Sequence, residues 1–65
     1  MELPNIPHRI RDAERGVLYV VMSYRALSRA EVVQQIRLHN GSVRRRPKKG
    51  STITILTVLG ATERL

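Results

Sequence analysis

The segment Val17–Tyr24, which is apolar except for Ser23, constrains the fold of this chain more than any other feature. It is rich in β-branched and aromatic residues, and its apolar residues run on without alternating with polar ones. Such a run is typical of a central strand that is covered on both faces. It is also far shorter than the ~20 apolar residues that a membrane-spanning helix needs. We therefore expect a strand over 17–24 in the middle of a sheet, and no membrane contact.

The clearest local signal in the chain follows this strand. Ser28 and Glu31 have the spacing of a capping box, in which the serine hydroxyl accepts from a backbone N–H three residues on and the glutamate reaches back. Apolar residues recur after it at helical spacing, and Asn40-Gly41 is typical of a left-handed helix stop. The pattern predicts a helix over residues 29–39.

The second half of the chain predicts two more strands. Ser42–Arg46 is a short candidate with one apolar residue, whereas Ser51–Leu59 is strongly β-branched. Pro47–Gly50, between them, consists of turn-forming residues and favours a hairpin. The alternative is a parallel strand that is reached through the helix. The predicted order of elements is β-α-β-β.

These elements predict an α/β fold with one helix packed on a three-stranded sheet. The domain would span residues 17–60, with residues 1–16 as an N-terminal arm, because two prolines interrupt that segment, and residues 61–65 as a C-terminal tail. One helix covers one face of a sheet and leaves the other bare. Since a bare aliphatic face of this kind usually marks an interface, we expect dimerisation or a partner to complete the fold.

Charge is unevenly distributed along the 65 residues. Twelve lysines and arginines against five acids give a formal net charge of +7. The charges of residues 1–16 cancel, and no acid lies between Glu31 and Glu63. A field of one sign attracts polyanions, so the cations in this gap are the predicted nucleic-acid-binding residues. They are Arg37, Arg44, Arg45, Arg46, Lys48 and Lys49. The alternative is an exposed edge strand whose cations block aggregation.

Catalytic chemistry has little support in the sequence. There is no cysteine, the four glycines are isolated, and no serine, histidine and acid stand in a recognisable catalytic order. His8 and His39 are predicted to be exposed and solvated, with no metal bound. We expect a protein that is not an enzyme, with no cofactor and no small-molecule substrate, in the cytoplasm because no secretory signal is present.

Residues 19–60 resemble a BRCT domain in its minimal or truncated form. The matching segments are the strand Val20–Tyr24, the helix start Ser28-Arg29-Ala30-Glu31, the stretch Asn40-Gly41-Ser42-Val43, the loop Lys48-Lys49-Gly50-Ser51-Thr52 and the strand end Thr57-Val58-Leu59-Gly60. The resemblance implies that these residues form the first strand, the first helix and the next two strands of that family. It also implies a phosphate pocket with Ser23 as the binding hydroxyl and Arg29 beside it.

The expected function is that of a small basic nucleic-acid-binding module that makes mainly phosphate-backbone contacts. Its partner would be DNA or RNA, with DNA favoured, and it would act as a homo-oligomer or an accessory subunit. The alternative is a BRCT-like adaptor or assembly module, which docks a partner protein on its exposed sheet face or on the edge strand 51–59.

Overall fold

The computed structural model describes residues 2–61. The elements follow one another as β1 (Ile6–Asp12), β2 (Val17–Ser23), α1 (Arg29–Ser42) and β3 (Thr52–Leu56). β2 lies in the centre of the sheet, where it pairs antiparallel with β1 and parallel with β3. The predicted α/β fold, one helix on a three-stranded sheet, is confirmed. The order of elements, however, is β-β-α-β rather than β-α-β-β.

The prediction that residues 1–16 form an arm is wrong for the segment that becomes β1. Its side chains alternate between the two faces of the sheet, with Ile10 packed against the core and Arg9 exposed. Pro7 is tolerated because β1 is an edge strand, where a missing backbone donor is no obstacle to pairing. The sheet therefore begins at residue 6, and its third strand comes from before β2 instead of from residues 42–46.

Residues 42–46 are not a strand, and no hairpin forms around Pro47–Gly50. The helix continues through Asn40-Gly41 to Ser42, whose hydroxyl donates to the carbonyl of His39 at 2.8 Å. The chain then crosses back to the sheet, so that β3 lies parallel to β2. Within residues 2–61, no helix has the length and apolar character needed to cross a membrane.

The core lies between α1 and one face of the sheet. Alternate residues of β2 point towards the helix and are almost completely buried, while α1 contributes two buried side chains and β3 one. The buried apolar residues are Val17, Tyr19, Val21, Val32, Ile36 and Ile55. The Tyr19 hydroxyl accepts a hydrogen bond from the Asn40 side chain at 3.2 Å, which ties the end of the helix to the central strand.

The other face of the sheet is not covered by any element of residues 2–61. We call it the open face. It is formed by Pro7, Arg9, Arg11, Leu18, Val20, Met22, Thr52, Thr54 and Leu56. The predicted one-sided cover is therefore present in the described part of the chain, and half of the apolar residues of β2 contribute nothing to the core beneath α1.

The capping box forms as predicted. The Ser28 hydroxyl accepts from the Glu31 N–H at 3.3 Å, and the Glu31 carboxylate accepts from the Ser28 N–H at 3.1 Å. The same carboxylate pairs with the Arg25 guanidinium. These hydrogen bonds, the one from Arg25 first, lower the pKa of Glu31 from 4.5 to about 2.

We expect acid to loosen the start of α1. Because the pKa of Glu31 is lower in the folded chain, its stabilisation is complete above about pH 4.5 and is lost as the pH falls towards about 2. The variant Glu31→Gln keeps an acceptor for the cap but loses the ion pair with Arg25. Thermal unfolding followed by circular dichroism should give a lower Tm at pH 7 and a flatter Tm profile between pH 4.5 and 2. An unchanged profile would contradict this assignment.

A pair of neighbouring substitutions tests whether β1 is part of the sheet. Ile10→Ser removes a side chain that packs on the core and should lower the free energy of unfolding by about 2 kcal/mol. Arg9→Ser changes the exposed face of the same strand and should cost less than about 0.5 kcal/mol. Urea unfolding measures both. In a flexible arm, the two substitutions would have equally small effects.

Candidate nucleic-acid interface

The described arginines and lysines fall into a paired and an unpaired group. Arg15 forms an ion pair with Asp12 at 3.7 Å, and Arg25 pairs with Glu31. The other cations within residues 2–61 are exposed, and no acid of the same range lies within ion-pair distance of them. They are Arg9, Arg11, Arg29, Arg37, Arg44, Arg45, Arg46, Lys48 and Lys49.

Five of the unpaired cations lie in the connection between α1 and β3, residues 43–50, which we call the basic loop. The loop ends in a tight turn in which the Ser51 N–H donates to the Lys48 carbonyl at 3.1 Å. Gly50 has a φ of 87° there, a left-handed conformation that L residues rarely adopt. The predicted cluster Arg44–Lys49 is therefore brought together on one exposed segment, although on a loop and not on a strand. The alternative prediction, that these cations protect an exposed edge strand from aggregation, is wrong because residues 43–50 form no strand.

The end of the basic loop is fastened to the turn between β1 and β2. The Gly50 N–H donates to the Gly16 carbonyl at 2.7 Å, and the Leu18 N–H donates to the Ser51 carbonyl at 3.1 Å. The Lys49 side chain lies against Gly16, where an added Cβ would come within 2.7 Å of the Lys49 Cγ. Lys49 is thus placed at the end of the sheet where β2 and β3 begin.

Two further cations lie at this end of the molecule. Arg11 lines a surface hollow together with Gly50 and Ser51, which brings a cation of β1 next to the basic loop. Arg11 and Arg37 also line a groove between β1 and α1. We call the basic loop together with Arg11 and Arg37 the basic end.

Arg9 and Arg11 were missed at the sequence level because the charges of residues 1–16 sum to zero. In the strand, alternation sends both arginines to the open face, while Asp12 lies on the opposite face and pairs with Arg15. The signal that could have found them is the period-two pattern of residues 8–12, in which arginine alternates with other residues.

The phosphate pocket implied by the BRCT resemblance is not open in this structure. Ser23 is fully buried, and its hydroxyl donates to the backbone carbonyl of Arg25. Arg29 is exposed at the first position of α1, where it lines a shallow hollow on the outer side of the helix with Arg37. A phosphate would have to displace the Ser23–Arg25 hydrogen bond, and the pocket stays a prediction.

The prediction that both histidines are exposed is wrong. His8 is half-buried, with Nδ1 3.1 Å from the Val21 carbonyl and Nε2 accepting from the Leu27 N–H at 2.8 Å. It thereby links β1 to the segment that leads into the helix. His39 is half-buried near the end of α1. The described residues hold no group of three or more histidines, aspartates and glutamates placed to bind a metal ion.

Comparison with known protein families, curated proteins and solved structures finds no match for this chain. The resemblance of residues 19–60 to a BRCT domain therefore stays a prediction. What the basic end can bind has to be argued from its own residues.

A double-mutant cycle tests the fastening of Lys49. Gly16 and Gly50 both have positive φ, so alanine at either position should cost about 1 kcal/mol in backbone strain. A Cβ at Gly50 meets open space, whereas one at Gly16 displaces Lys49, and we expect Gly16→Ala to cost about 1 kcal/mol more than Gly50→Ala. In a Lys49→Ala background this excess should disappear, as measured by urea unfolding. An excess that persists would show that Lys49 does not lie against Gly16.

Proposed function

We propose that this protein is a small nucleic-acid-binding module that contacts the phosphate backbone through its basic end. The observation that carries the proposal is the basic loop, in which five cations are exposed and have no acid partner among residues 2–61. An unpaired guanidinium keeps its full set of donors for a phosphate, and several such groups on one segment release counterions together. Arg11 and Arg37 widen the same charged surface.

The arrangement supports backbone contacts more than base contacts. The cations lie on a loop and at a sheet end, and side chains of this kind fix a protein on nucleic acid without reading its sequence. The one described helix packs its buried residues against the sheet and exposes Arg29, Gln34 and Arg37 on its outer side. These side chains can contact bases, but only Arg37 of the three belongs to the basic end. We propose a sequence-tolerant binder, with DNA as the favoured partner, that acts in the cytoplasm as a homo-oligomer or an accessory subunit.

A second candidate function is protein interaction, as in a BRCT-like adaptor. It is favoured by the open face, which carries aliphatic side chains in its middle and is covered by no described element. The two functions use different surfaces and are compatible with each other.

The primary test is binding to a fluorescently labelled 20-base-pair duplex, followed by anisotropy at several salt concentrations. If about five phosphates are contacted, the logarithm of the binding constant should fall with the logarithm of salt concentration with a slope of about −4 to −5. The double variant Arg44→Gln, Arg45→Gln should bind at least about tenfold more weakly, with a slope smaller in magnitude by about 2.

The matched control is the double variant Ala26→Glu, Ala30→Glu, which lowers the net charge by the same two units at exposed positions beside the start of α1, the end of the helix farthest from the basic loop. It should bind nearly as tightly as the unchanged protein. Equal losses in the two double variants would mean that net charge alone drives binding and would overturn the assignment of the site. No binding at ~100 mM salt would overturn the proposed function.

A further inference from the structure

The open face has the composition of a surface that is normally covered. In β2, residues 18, 20 and 22 are aliphatic although they point away from the helix. A sheet face that meets water usually carries polar residues at every such position. At the edge, Leu56 is 59% exposed. Residues 18, 20 and 22 are half-buried between their neighbours on the two edge strands, so Leu56 and the outer parts of these side chains make up the apolar area that the face presents.

The open face is also ordered in columns by the strand register. One edge carries two arginines, the middle carries aliphatic residues, and the other edge carries two threonines and a leucine. The rows across the sheet are Arg11–Leu18–Thr52, Arg9–Val20–Thr54 and Pro7–Met22–Leu56. No acid belongs to this set, and Asp12 lies on the opposite face.

We propose that a second copy of this chain covers the open face, with the two-fold axis parallel to β2. In that arrangement each arginine column lies over the threonine column of the other copy, and β2 lies over β2. Guanidinium groups then meet hydroxyl acceptors, and aliphatic residues meet aliphatic residues. A two-fold axis across the strands would instead place the arginine columns on each other, and like charges in contact oppose association.

The size of the face sets the strength of this dimer. Three strands about 4.8 Å apart and five residues of about 3.4 Å, the span from Leu18 to Met22, give a footprint on the order of 250 Å² per copy. Stable complexes bury about 800 Å² per partner. The dimer is therefore weak and depends on concentration, with dissociation expected in the micromolar range or above.

The direction of the axis has a consequence for the basic end. With β2 running the same way in both copies, the two basic loops lie at the same end of the dimer. Their repulsion opposes dimerisation, so salt or a bound polyanion that neutralises them strengthens it. This coupling rests on the proposed function, whereas the dimer rests on the open face alone.

Sedimentation equilibrium at about 10 to 500 μM tests the dimer with two matched variants. Leu56 on the open face and Leu38 on the outer side of α1 are 59% and 60% exposed, so that Leu56→Asp and Leu38→Asp make the same change at equal exposure. The unchanged protein and Leu38→Asp should dimerise, and Leu56→Asp should weaken the dimer at least tenfold while keeping its circular dichroism spectrum. A monomeric unchanged protein, or a dimer that Leu56→Asp leaves intact, would overturn the proposal; the first result would leave the open face to a different partner.

Single cysteines test the axis, because the chain has none of its own. With the axis parallel to β2, Leu18→Cys faces its own counterpart and should cross-link through a short thiol-specific reagent, whereas Arg9→Cys should not. Cross-linking of Arg9→Cys without Leu18→Cys would show the other axis and overturn the arrangement.

Repeating the sedimentation experiment with the 20-base-pair duplex separates this proposal from the proposed function. Dimerisation that strengthens with the duplex supports both. If a dimer forms and its dissociation constant is the same with and without the duplex, the dimer is supported, and the nucleic-acid function and the coupling are contradicted. Duplex bound by a strictly monomeric chain leaves the nucleic-acid function in place and overturns the dimer.

Discussion

The pairing of β2 on both sides is the constraint on which the rest of this structure depends. The backbone of β2 forms hydrogen bonds with both β1 and β3, and alternate side chains of β2 are almost completely buried beneath α1. Every other element takes its place from this strand. The helix lies on the face that Val17, Tyr19 and Val21 present, and the connections at the start of β2 bring Gly16 against the end of the basic loop. The same strand carries aliphatic residues on its other side, which makes the open face apolar.

Backbone alternation also separates charges that the sequence places side by side. Residues 1–16 are neutral in sum, but in β1 the arginines point to the open face and Asp12 points away from it. The Asp12 carboxylate forms an ion pair with the Arg15 side chain and accepts a hydrogen bond from the Arg15 backbone N–H. A neutral segment thus becomes a cationic sheet edge. For this reason net charge counted along the chain underestimates the charge that a polyanion would meet at this end of the fold.

The parts of the fold that follow from local signals could be predicted from the sequence, and the parts that depend on pairing could not. The start of α1 follows from the contact of Ser28 with Glu31, which lies within four residues. β1 is not predicted from the sequence, because Pro7 and the neighbouring charges hide its period-two pattern. The strand with which β1 pairs cannot be inferred from the residues of β1 alone. The end of α1 was placed too early, because Asn40 bonds Tyr19 across the core instead of ending the helix. In the site, the cluster of cations in the basic loop could be predicted because its residues are neighbours in the sequence. Arg11 could not, because its place beside the loop depends on the pairing of β1 with β2.

Arg11 is the point at which the two surfaces meet. It belongs to the row of the open face nearest the basic loop, and it also lines the hollow beside Gly50 and Ser51. The face and the end of a sheet are perpendicular to each other, so a second copy on one does not block a polyanion on the other. In the proposed dimer, Arg11 lies over Thr52 of the other copy and beside the basic loop of its own copy. Its charge therefore adds to the repulsion between the two basic ends, which a bound polyanion would relieve.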